Sequence, residues 1–355
     1  MTPTVGGSMQ TKVTIEDVAM AAGVGRQTVS RVINRGPNVK PAVRQRVEAV
    51  IEELGYSPSL SARRMGGGRS FLILAINDRA RTLENWRAGR GNDWVDQMLY
   101  GGMTECERHD YHLVFELIDT ASDAAQRQLA SVIGALRPDG VILTPPHSEN
   151  DALVALLDLR GIPCARIGHR GDGAHIEVHM DEGSAAREVT EKLLALGHRR
   201  FAFIAGTSSY GTSLARIAGF RQAILTAGLP GDAGFVGNGE FNFETAVKVT
   251  ADAMLHDRPP TAIIADNDEM AFAALHVANS KGLRVPSDLS VVSFEDTPGV
   301  RFSVPPLSAI RQPTAAMIAK ACERLIAAAA GAEAAGSYEL PYTFVERASI
   351  GSARS

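Results

Sequence analysis

The sequence predicts a small all-α head at the amino end of the chain, followed by an α/β body of two lobes. Apolar residues recur at helical spacing between residues 15 and 54. From Phe71 onward, β-rich runs alternate with helical stretches, and this alternation begins again near Val178. Each alternating stretch is typical of a parallel sheet with helices on its faces, so we expect two α/β units with a cleft between them.

Residues 14–34 are predicted to form two short helices joined by a tight turn. Thr14, with Asp17 three residues later, has the spacing of a capping box at a helix start. Gly23 stands where a left-handed residue is needed to end that helix, and Gly25 opens the next one. This pattern predicts a helix-turn-helix, although an ordinary αα-corner on a globular surface has similar features.

The second helix of this pair presents a polar face that has no acidic residue. Its side chains are able to reach base edges or phosphates; they are Arg26, Gln27, Ser30 and Arg31. Residues 1–70 hold ten Lys and Arg against five Asp and Glu, a net charge of +5, whereas the remainder holds 26 against 35, or −9. A basic head on an acidic body indicates that the head is the part that meets phosphate.

A third helix is predicted to begin at Pro41, a favourable first helical position, and to end before Gly55. The segment SLSARRM, which follows soon after Tyr56, is short and precedes three consecutive glycines. Isolated helices of fewer than about 12 residues rarely hold in water. We therefore expect this segment to need a partner or DNA in order to fold.

The runs VTIEDVAMAAGVGRQTVSRVIN and VRQRVEAVIEELGYSPSLSARRM resemble the head and hinge of the LacI/GalR family of bacterial transcription regulators, and the likeness covers nearly the whole chain from Val13. It implies that the second helix enters the major groove and that the hinge helices of two subunits pair in the minor groove. Met65 stands where the family usually has the Leu that wedges between base pairs. The implied DNA-binding residues are Thr14, Arg26, Gln27, Thr28, Ser30, Arg31, Asn34, Ala62 and Met65.

The same resemblance implies a two-lobed, periplasmic-binding-protein-like body of type I, and a homodimer bound to a palindromic operator. The expected divisions are a disordered leader at 1–12, the helix-turn-helix domain at 13–57, the hinge helix and linker at 58–69, a first lobe at 70–176 with 307–335, and a second lobe at 177–306 with 336–355.

Polar residues at strand ends are candidates for binding a ligand in the cleft. Arg216 and Asp268 match the effector-binding Arg and Asp of the family, and Phe241 matches an aromatic position that lies against a ligand face. Such a set suits a sugar, whose hydroxyls bind charged groups and whose C–H face packs on a ring. Alternatives are a surface cation for Arg216, a helix cap for Asp268 and core packing for Phe241. The predicted effector site comprises Asn77, Asp78, Trp94, Thr144, Arg166, Arg216, Phe241 and Asp268.

Residues 79–93, RARTLENWRAGRGND, form a longer link than the family usually has before its next helix. With four arginines, the segment is interpreted either as a lid that brings a cation to an acidic or oligomeric sugar, or as a solvated loop held by a few ion pairs. Arg166 near this segment adds some weight to an effector that bears a carboxylate.

No sequence pattern indicates catalysis, a metal site or a cofactor. A Walker motif, a dinucleotide-binding glycine loop and a nucleophile elbow are missing from the sequence, and its three cysteines lack zinc-site spacing. No apolar run approaches the ~20 residues of a membrane span. These observations favour a cytoplasmic protein that is not an enzyme.

The expected function is a sequence-specific DNA-binding repressor of carbohydrate-utilisation genes, released from its operator by a sugar-like effector between the lobes. A regulator whose ligand is a co-repressor is an alternative within this class. From other classes, a sugar-binding receptor would need an export signal, and an α/β enzyme would need a phosphate-binding loop or an acid/base pair.

Overall fold

The computed structural model describes residues 13–33, 36–56 and 69–354. The chain divides into two compact units, Met1–Ser70 and Phe71–Ser355, called here the head and the body. Several predicted features lie outside the described residues and stay predictions: the leader 1–12, Asn34, Ala62, Met65 and the hinge helix.

Three helices form the head: α1 (Ile15–Ala22), α2 (Arg26–Ile33) and α3 (Pro41–Leu54). The predicted capping box is confirmed, because the Asp17 amide donates to Thr14 Oγ1 at 3.3 Å and the Thr14 amide donates to Asp17 Oδ2 at 2.8 Å. Gly23 ends α1 with φ +61°, a conformation that glycine adopts without steric cost. The sequence therefore predicts the two-helix turn correctly.

The head has its own apolar core between the three helices. It is built from Val18, Ala19, Ala22, Val29, Val32, Val47 and Tyr56. Arg44 on α3 adds a polar link, because its guanidinium donates to Gly36 O at 3.0 Å and Val32 O at 3.4 Å. The bond to Val32 O satisfies a carbonyl that the end of α2 leaves without a helical partner.

The first lobe of the body is built on a six-stranded parallel sheet. In spatial order its strands are β11 (Gly336–Glu339), β5 (Ile176–His179), β4 (Cys164–Ile167), β3 (Gly140–Leu143), β1 (Leu72–Asp78) and β2 (His112–Ile118). In β1, Ile73 and Ala75 pack into one helical layer and Leu74 and Ile76 into the other. Burial on both faces explains the continuous apolar run of this strand.

Helices cover both faces of the first sheet. On one face lie α5 (Asp93–Arg108) and α12 (Thr314–Ala329), and on the other lie α6 (Ser122–Leu136) and α7 (Asp151–Leu159). Helices α5 and α12 approach so closely that a Cβ on Gly101 would lie 2.0 Å from Ala315 O. Only glycine fits at that crossing.

The second lobe repeats this architecture. Its strands, in spatial order, are β12 (Thr343–Val345), β10 (Ser308–Arg311), β9 (Ser290–Glu295), β8 (Ala262–Ala265), β6 (Phe201–Ala205) and β7 (Gly234–Asn238), with β12 antiparallel to β10. The helices are α8 (Glu182–Ala195) and α9 (Gly211–Thr226) on one face, and α10 (Phe243–Ala253) and α11 (Asp268–Ser280) on the other. Strand β6 supplies Phe201 and Phe203 to one core and Ala202 and Ile204 to the other.

The chain passes between the lobes at residues 180–181, 312–313 and 340–342. Because of these crossings, three strands belong to the other lobe than the one predicted from the sequence. Strand β5, assigned from residue 177 to the second lobe, pairs with β4 of the first. Strand β10, placed in the first lobe, pairs with β9 of the second, and β11, placed in the second, pairs with β5 of the first. Each strand has only four residues, too few for periodicity to assign it.

The inserted segment after β1 contains a helix, α4 (Arg79–Arg87), so the solvated-loop alternative is wrong for these nine residues. Asp78 caps the helix by accepting from the Arg81 amide at 3.1 Å. The segment also touches the second lobe. The Arg90 guanidinium lies 3.1 Å from Glu244 Oε2 and 3.5 Å from Glu269 Oε1, and Arg81 donates to Glu240 O.

None of the helices in the described ranges combines the length and the apolar character that a membrane crossing requires.

Candidate ligand-binding cleft and nucleic-acid interface

A cleft opens between the two lobes at the carboxyl ends of their strands. Its empty volume is about 870 Å³, including the part that opens to solvent. The charged residues that line it are Asp78, Arg81, Glu182, Arg216, Asp266 and Glu295, and the aromatic ones are Trp94, Tyr210 and Phe241.

Arg216 is the most firmly held side chain of the cleft. It projects from α9 and is 4% exposed. Its Nε donates to Glu182 Oε2 at 2.7 Å, and its Nη1 donates to Asp266 Oδ1 at 2.7 Å and to Asp266 O at 2.8 Å. No described residue hydrogen-bonds to Nη2, which leaves that nitrogen for a ligand. The surface-cation alternative is therefore wrong.

The surroundings of Arg216 fix its charge and its position. Burial alone lowers the pKa of Arg216, but the Glu182 and Asp266 carboxylates outweigh it and raise the pKa above its ordinary value. Asp266 is held in turn by the Gly206 amide at 2.9 Å and by the Ser213 hydroxyl. The guanidinium also lies 4.3 Å from the centroid of the Phe294 ring. A donor fixed in this way is pre-organised to bind a hydroxyl.

Phe241 lies at the mouth of the cleft in an unusual backbone conformation. Its φ is +51°, and a Cβ added to Gly206 would lie 2.0 Å from the Phe241 ring, so the ring rests directly on that glycine. Tyr210 is its aromatic neighbour, with ring centroids 5.3 Å apart. A strained residue held against a glycine at a cleft is a feature of functional sites.

In the first lobe, Asn77 is oriented by its neighbours. Its Oδ1 accepts from the Thr144 hydroxyl at 2.7 Å, and its Nδ2 donates to Thr82 Oγ1 at 2.9 Å. Asp78 accepts from the Tyr210 hydroxyl at 3.3 Å, which joins the two lobes across the cleft. The buried carboxyl end of strand β1 thus presents fixed polar groups to a ligand.

Five of the eight predicted effector residues line the cleft, namely Asn77, Asp78, Trp94, Arg216 and Phe241. Thr144 does not line it but orients Asn77. Arg166 turns away, donating to Ser148 O at 2.7 Å and to Asp151 Oδ1 at 3.3 Å, and so holds the segment between β3 and α7. It therefore gives no support to an effector that bears a carboxylate.

Asp268 does not line the cleft either; it is 2% exposed and begins α11. The cap of this helix is Asn267, not Asp268. The Asp268 carboxylate accepts from the Ser293 hydroxyl at 2.5 Å and from the Thr297 amide at 2.6 Å. Burial raises the pKa of Asp268 to about 6. Its role in this geometry is to hold the loop after β9.

Glu295, at the end of β9, has a raised pKa and no basic hydrogen-bond partner among the described residues. Burial raises the pKa well above its ordinary value, and the nearby Asp268 carboxylate adds to this effect. A folded-state pKa above the unfolded value stabilises the protein below the unfolded pKa, and this stabilisation is lost as the pH rises through the folded value.

Replacing Glu295 with Gln is therefore expected to raise the Tm of the body at pH 7.5, where the wild-type carboxyl resists ionisation. The difference in Tm between variant and wild type should shrink towards pH 5. Each kcal/mol of change in the free energy of unfolding corresponds to a Tm shift of about 2–4 °C. Thermal unfolding between pH 5 and 8 measures both effects. The exposed Glu191→Gln on α8 is the matched control. A Tm difference that is constant or grows towards pH 5 would contradict the argument.

Among the cleft residues that sequence reasoning missed are Glu182, Tyr210, Glu295 and Gln312. Glu182 stands in the first turn of α8, where an acidic residue is expected for the helix dipole alone. Glu295 directly ends a strand, and this position was a usable signal. Gln312 lies where the chain crosses between the lobes, and this crossing was predicted from the sequence at residue 307.

The predicted DNA-binding face of the head lies on α2. Arg26, Gln27 and Arg31 are exposed, whereas Thr28 and Ser30 are partly covered. Arg26 Nη1 lies 3.3 Å from Glu16 Oε1, and both side chains are mostly exposed, so this pair is weak. Thr14 is exposed, but its hydroxyl donates to Asp17 at 2.8 Å as part of the cap. Five of the predicted DNA-binding residues thus lie on the accessible helix α2, and Thr14 lies at the start of α1.

A helix-turn-helix head combined with a two-lobed body that has a polar interlobe cleft defines a class of DNA-binding regulators with their own ligand-binding domain. Residues 14–59 match the family described as bacterial regulatory proteins, lacI family. Residues 190–350 match the periplasmic binding protein-like domain. The chain belongs to the LacI family and is a transcription regulator.

Known relatives agree with this assignment over most of the chain. The HTH-type transcriptional regulator CelR of Thermobifida fusca is 34% identical over 313 residues, 86% of this chain and 88% of the relative. The lactose operon repressor of Escherichia coli K12 is 27% identical, covering 94% and 90%. A CelR–cellobiose complex aligns with TM-score 0.72 and 28% identity over 95% and 99% of the chains. A lac repressor dimer with operator and the anti-inducer ONPF aligns with TM-score 0.79 and 25% identity over 96% and 100%.

Proposed function

We propose that this regulator is a dimeric, cytoplasmic repressor of carbohydrate-utilisation genes, which a neutral saccharide bound between its lobes releases from a palindromic operator. The observation that carries the effector assignment is Arg216, buried between two carboxylates with one terminal nitrogen free towards an aromatic-lined cleft. Fixed donors, carboxylate acceptors and ring faces are the groups that bind sugar hydroxyls and C–H surfaces.

The charge of the cleft favours a neutral ligand over a uronate. Four acidic residues and two arginines line it, with no lysine among the lining residues. The charges of both arginines are already largely compensated: Arg216 Nε and Nη1 bind Glu182 and Asp266, and Arg81 donates to Glu240 O. Even with the Glu295 carboxyl protonated, three carboxylates outnumber the two arginines, so a carboxylate ligand would meet a net negative surface, where like charges are unfavourable.

The relatives support a saccharide effector and a DNA partner. The CelR structure is a cellobiose complex, and the lac repressor structures hold an operator or the ligands ONPF and ONPG. The present cleft has aromatic residues on both lobes, Trp94 on one and Phe241 and Tyr210 on the other, with Arg81 lying over the latter two rings. We therefore take a β-linked gluco-oligosaccharide as the first ligand to test.

On the DNA side, each head reads one half-site through Arg26, Gln27 and Arg31, with Thr14, Thr28, Ser30 and Asn34 supporting the contact. The hinge segment at 58–69, including Ala62, pairs with that of the second subunit, and Met65 acts as the wedge. Ligand in the cleft changes the angle between the lobes and so separates the hinges. Couplings of this kind are typically about 1–3 kcal/mol.

Replacing Met65 with Gly is expected to weaken specific operator binding at least tenfold, because the apolar wedge that bends the DNA is lost. Non-specific binding, which depends on phosphate contacts, should change little. Titrating operator and unrelated duplexes at one salt concentration separates the two effects. Arg46→Ala on α3 is a comparison variant that removes a charge instead. An equal loss on both duplexes would argue against the wedge.

The function is tested by pairing a thermal-shift screen with DNA binding. Cellobiose, other disaccharides, monosaccharides and uronates are screened against the full chain, since a ligand that binds the folded state raises its Tm. Any hit is then titrated into a complex with an inverted-repeat operator found by binding-site selection. Release of DNA supports an inducer, and tighter binding would replace it with a co-repressor. Failure of every inverted repeat to bind would overturn the proposal.

A further inference from the structure

A second, smaller cavity lies directly behind one end of the interlobe cleft. It has about 450 Å³ of empty volume, including its opening to solvent. It shares four lining residues with the cleft: Asp78, Arg81, Asn85 and Phe241. The two cavities are therefore neighbours separated by a thin partition of side chains.

Arg81 is the main side chain of this partition. It comes from α4 of the first lobe and reaches across to the second, where both terminal nitrogens donate to Glu240 O at 3.3 Å. Its guanidinium lies 4.9 Å from the centroid of the Phe241 ring and 5.6 Å from that of Tyr210. The group thus covers aromatic surface on which a sugar ring would otherwise pack.

The position of Arg81 is set by the fold around it. Its own amide bonds the capping carboxylate of Asp78, and Glu240 and Phe241 present the acceptor carbonyl and the ring from backbone with φ +55° and +51°. The hold is weaker than that on Arg216, because Arg81 Nε is buried without a hydrogen-bond partner and the acceptor is a neutral carbonyl. A single substitution of Arg81 therefore removes the side chain that separates the two cavities.

We infer that Arg81 is a specificity-determining residue that closes one end of the cleft and limits how many sugar units the effector has. The inference rests on the proposed saccharide effector. With Arg81 in place, a saccharide extends only towards the Trp94 and Gln312 end, where the cleft continues into a further opening beside Arg311. Without it, the two cavities join, and an added ring packs on the uncovered face of Phe241.

The test compares chain-length preference in Arg81→Ala with that of the wild type. Calorimetric titrations with cellobiose, cellotriose and cellotetraose give the ratio of the cellobiose Kd to the cellotetraose Kd for each full-length protein. The ratio is expected to rise by about tenfold in Arg81→Ala, which is the effect of one further set of contacts worth ~1.4 kcal/mol. A general loss of affinity that is equal for all three sugars leaves the ratio unchanged and overturns the inference.

Two further variants distinguish the loss of the long side chain at position 81 from the loss of its charge and from a general effect of removing an arginine from α4. Arg81→Lys keeps a long cationic side chain, and its ratio should stay within about twofold of the wild type. Arg79→Ala removes a neighbouring arginine whose Nε is 3.9 Å from Asp119 and which does not line the cleft, so its ratio should also stay unchanged. A rise in either variant equal to that of Arg81→Ala overturns the inference. If the wild type binds none of the three sugars, the proposed ligand class fails and the inference falls with it.

Discussion

Replacing Arg216 with Ala is expected to abolish the ligand response and to lower the free energy of unfolding of the body by about 3–5 kcal/mol. The large effect follows because Glu182 and Asp266 remain as buried carboxylates without their cation. Since a whole domain is typically stable by about 5–15 kcal/mol, this loss is severe. Urea unfolding measures the stability, and saccharide titration measures the response.

Two comparison proteins make the Arg216 result specific. Arg221→Ala removes an exposed arginine from the same helix and should change stability by less than about 0.5 kcal/mol. A triple variant with Arg216→Met, Glu182→Gln and Asp266→Asn removes the charges together, and it should recover most of the stability without recovering ligand binding. If the triple variant were as unstable as Arg216→Ala, unpaired charge would not be the cause.

Replacing Arg26 with Ala is expected to lower operator affinity by about 1–3 kcal/mol per half-site and to relax base preference at one position. Arg26 is exposed on α2, and its ion pair with Glu16 is itself exposed and weak. The arginine is therefore available to a guanine edge. Selection from a library of randomised half-sites, followed by titration of the chosen sequences, measures both effects.

Replacing Glu16 with Gln breaks the same ion pair but is expected to change DNA affinity in the opposite direction. Releasing Arg26 from Glu16 should strengthen DNA binding slightly and steepen its decrease with salt, because one more cation then meets phosphate or base. Base preference should persist in this variant. If Arg26→Ala kept the wild-type preference at every position, Arg26 would be a phosphate contact or no contact, and the readout would rest on Gln27 and Arg31.

The head was predictable because its signals are local. Thr14, Gly23, Pro41 and Gly55 each determine a helix end through their own backbone or side-chain chemistry, and the structure has all four ends where the residues place them. Tyr56 shows the limit of that reasoning. It closes the core of the head, although nothing in its immediate neighbours distinguishes it from a linker residue.

The body was predictable in class and less so in detail. Long buried strands such as Leu72–Asp78 are recognisable from their continuous apolar run. The four-residue strands at the crossings are not, because the sheet that each one joins depends on pairing partners elsewhere in the chain. The same holds for the cleft. Arg216 was correctly expected to line the cleft. Asp268 follows strand β8 and Arg166 lies within β4, but neither lines the cleft, because Asp268 accepts from Ser293 and Arg166 donates to Ser148 O.

Arg90 links the lobes through Glu244 and Glu269, and these three side chains are all partly in contact with water. Charges in that setting attract each other less as dissolved ions accumulate, over a screening distance of about 8 Å at 0.15 M. The resistance of the two lobes to moving apart thus depends on the ionic composition of the medium.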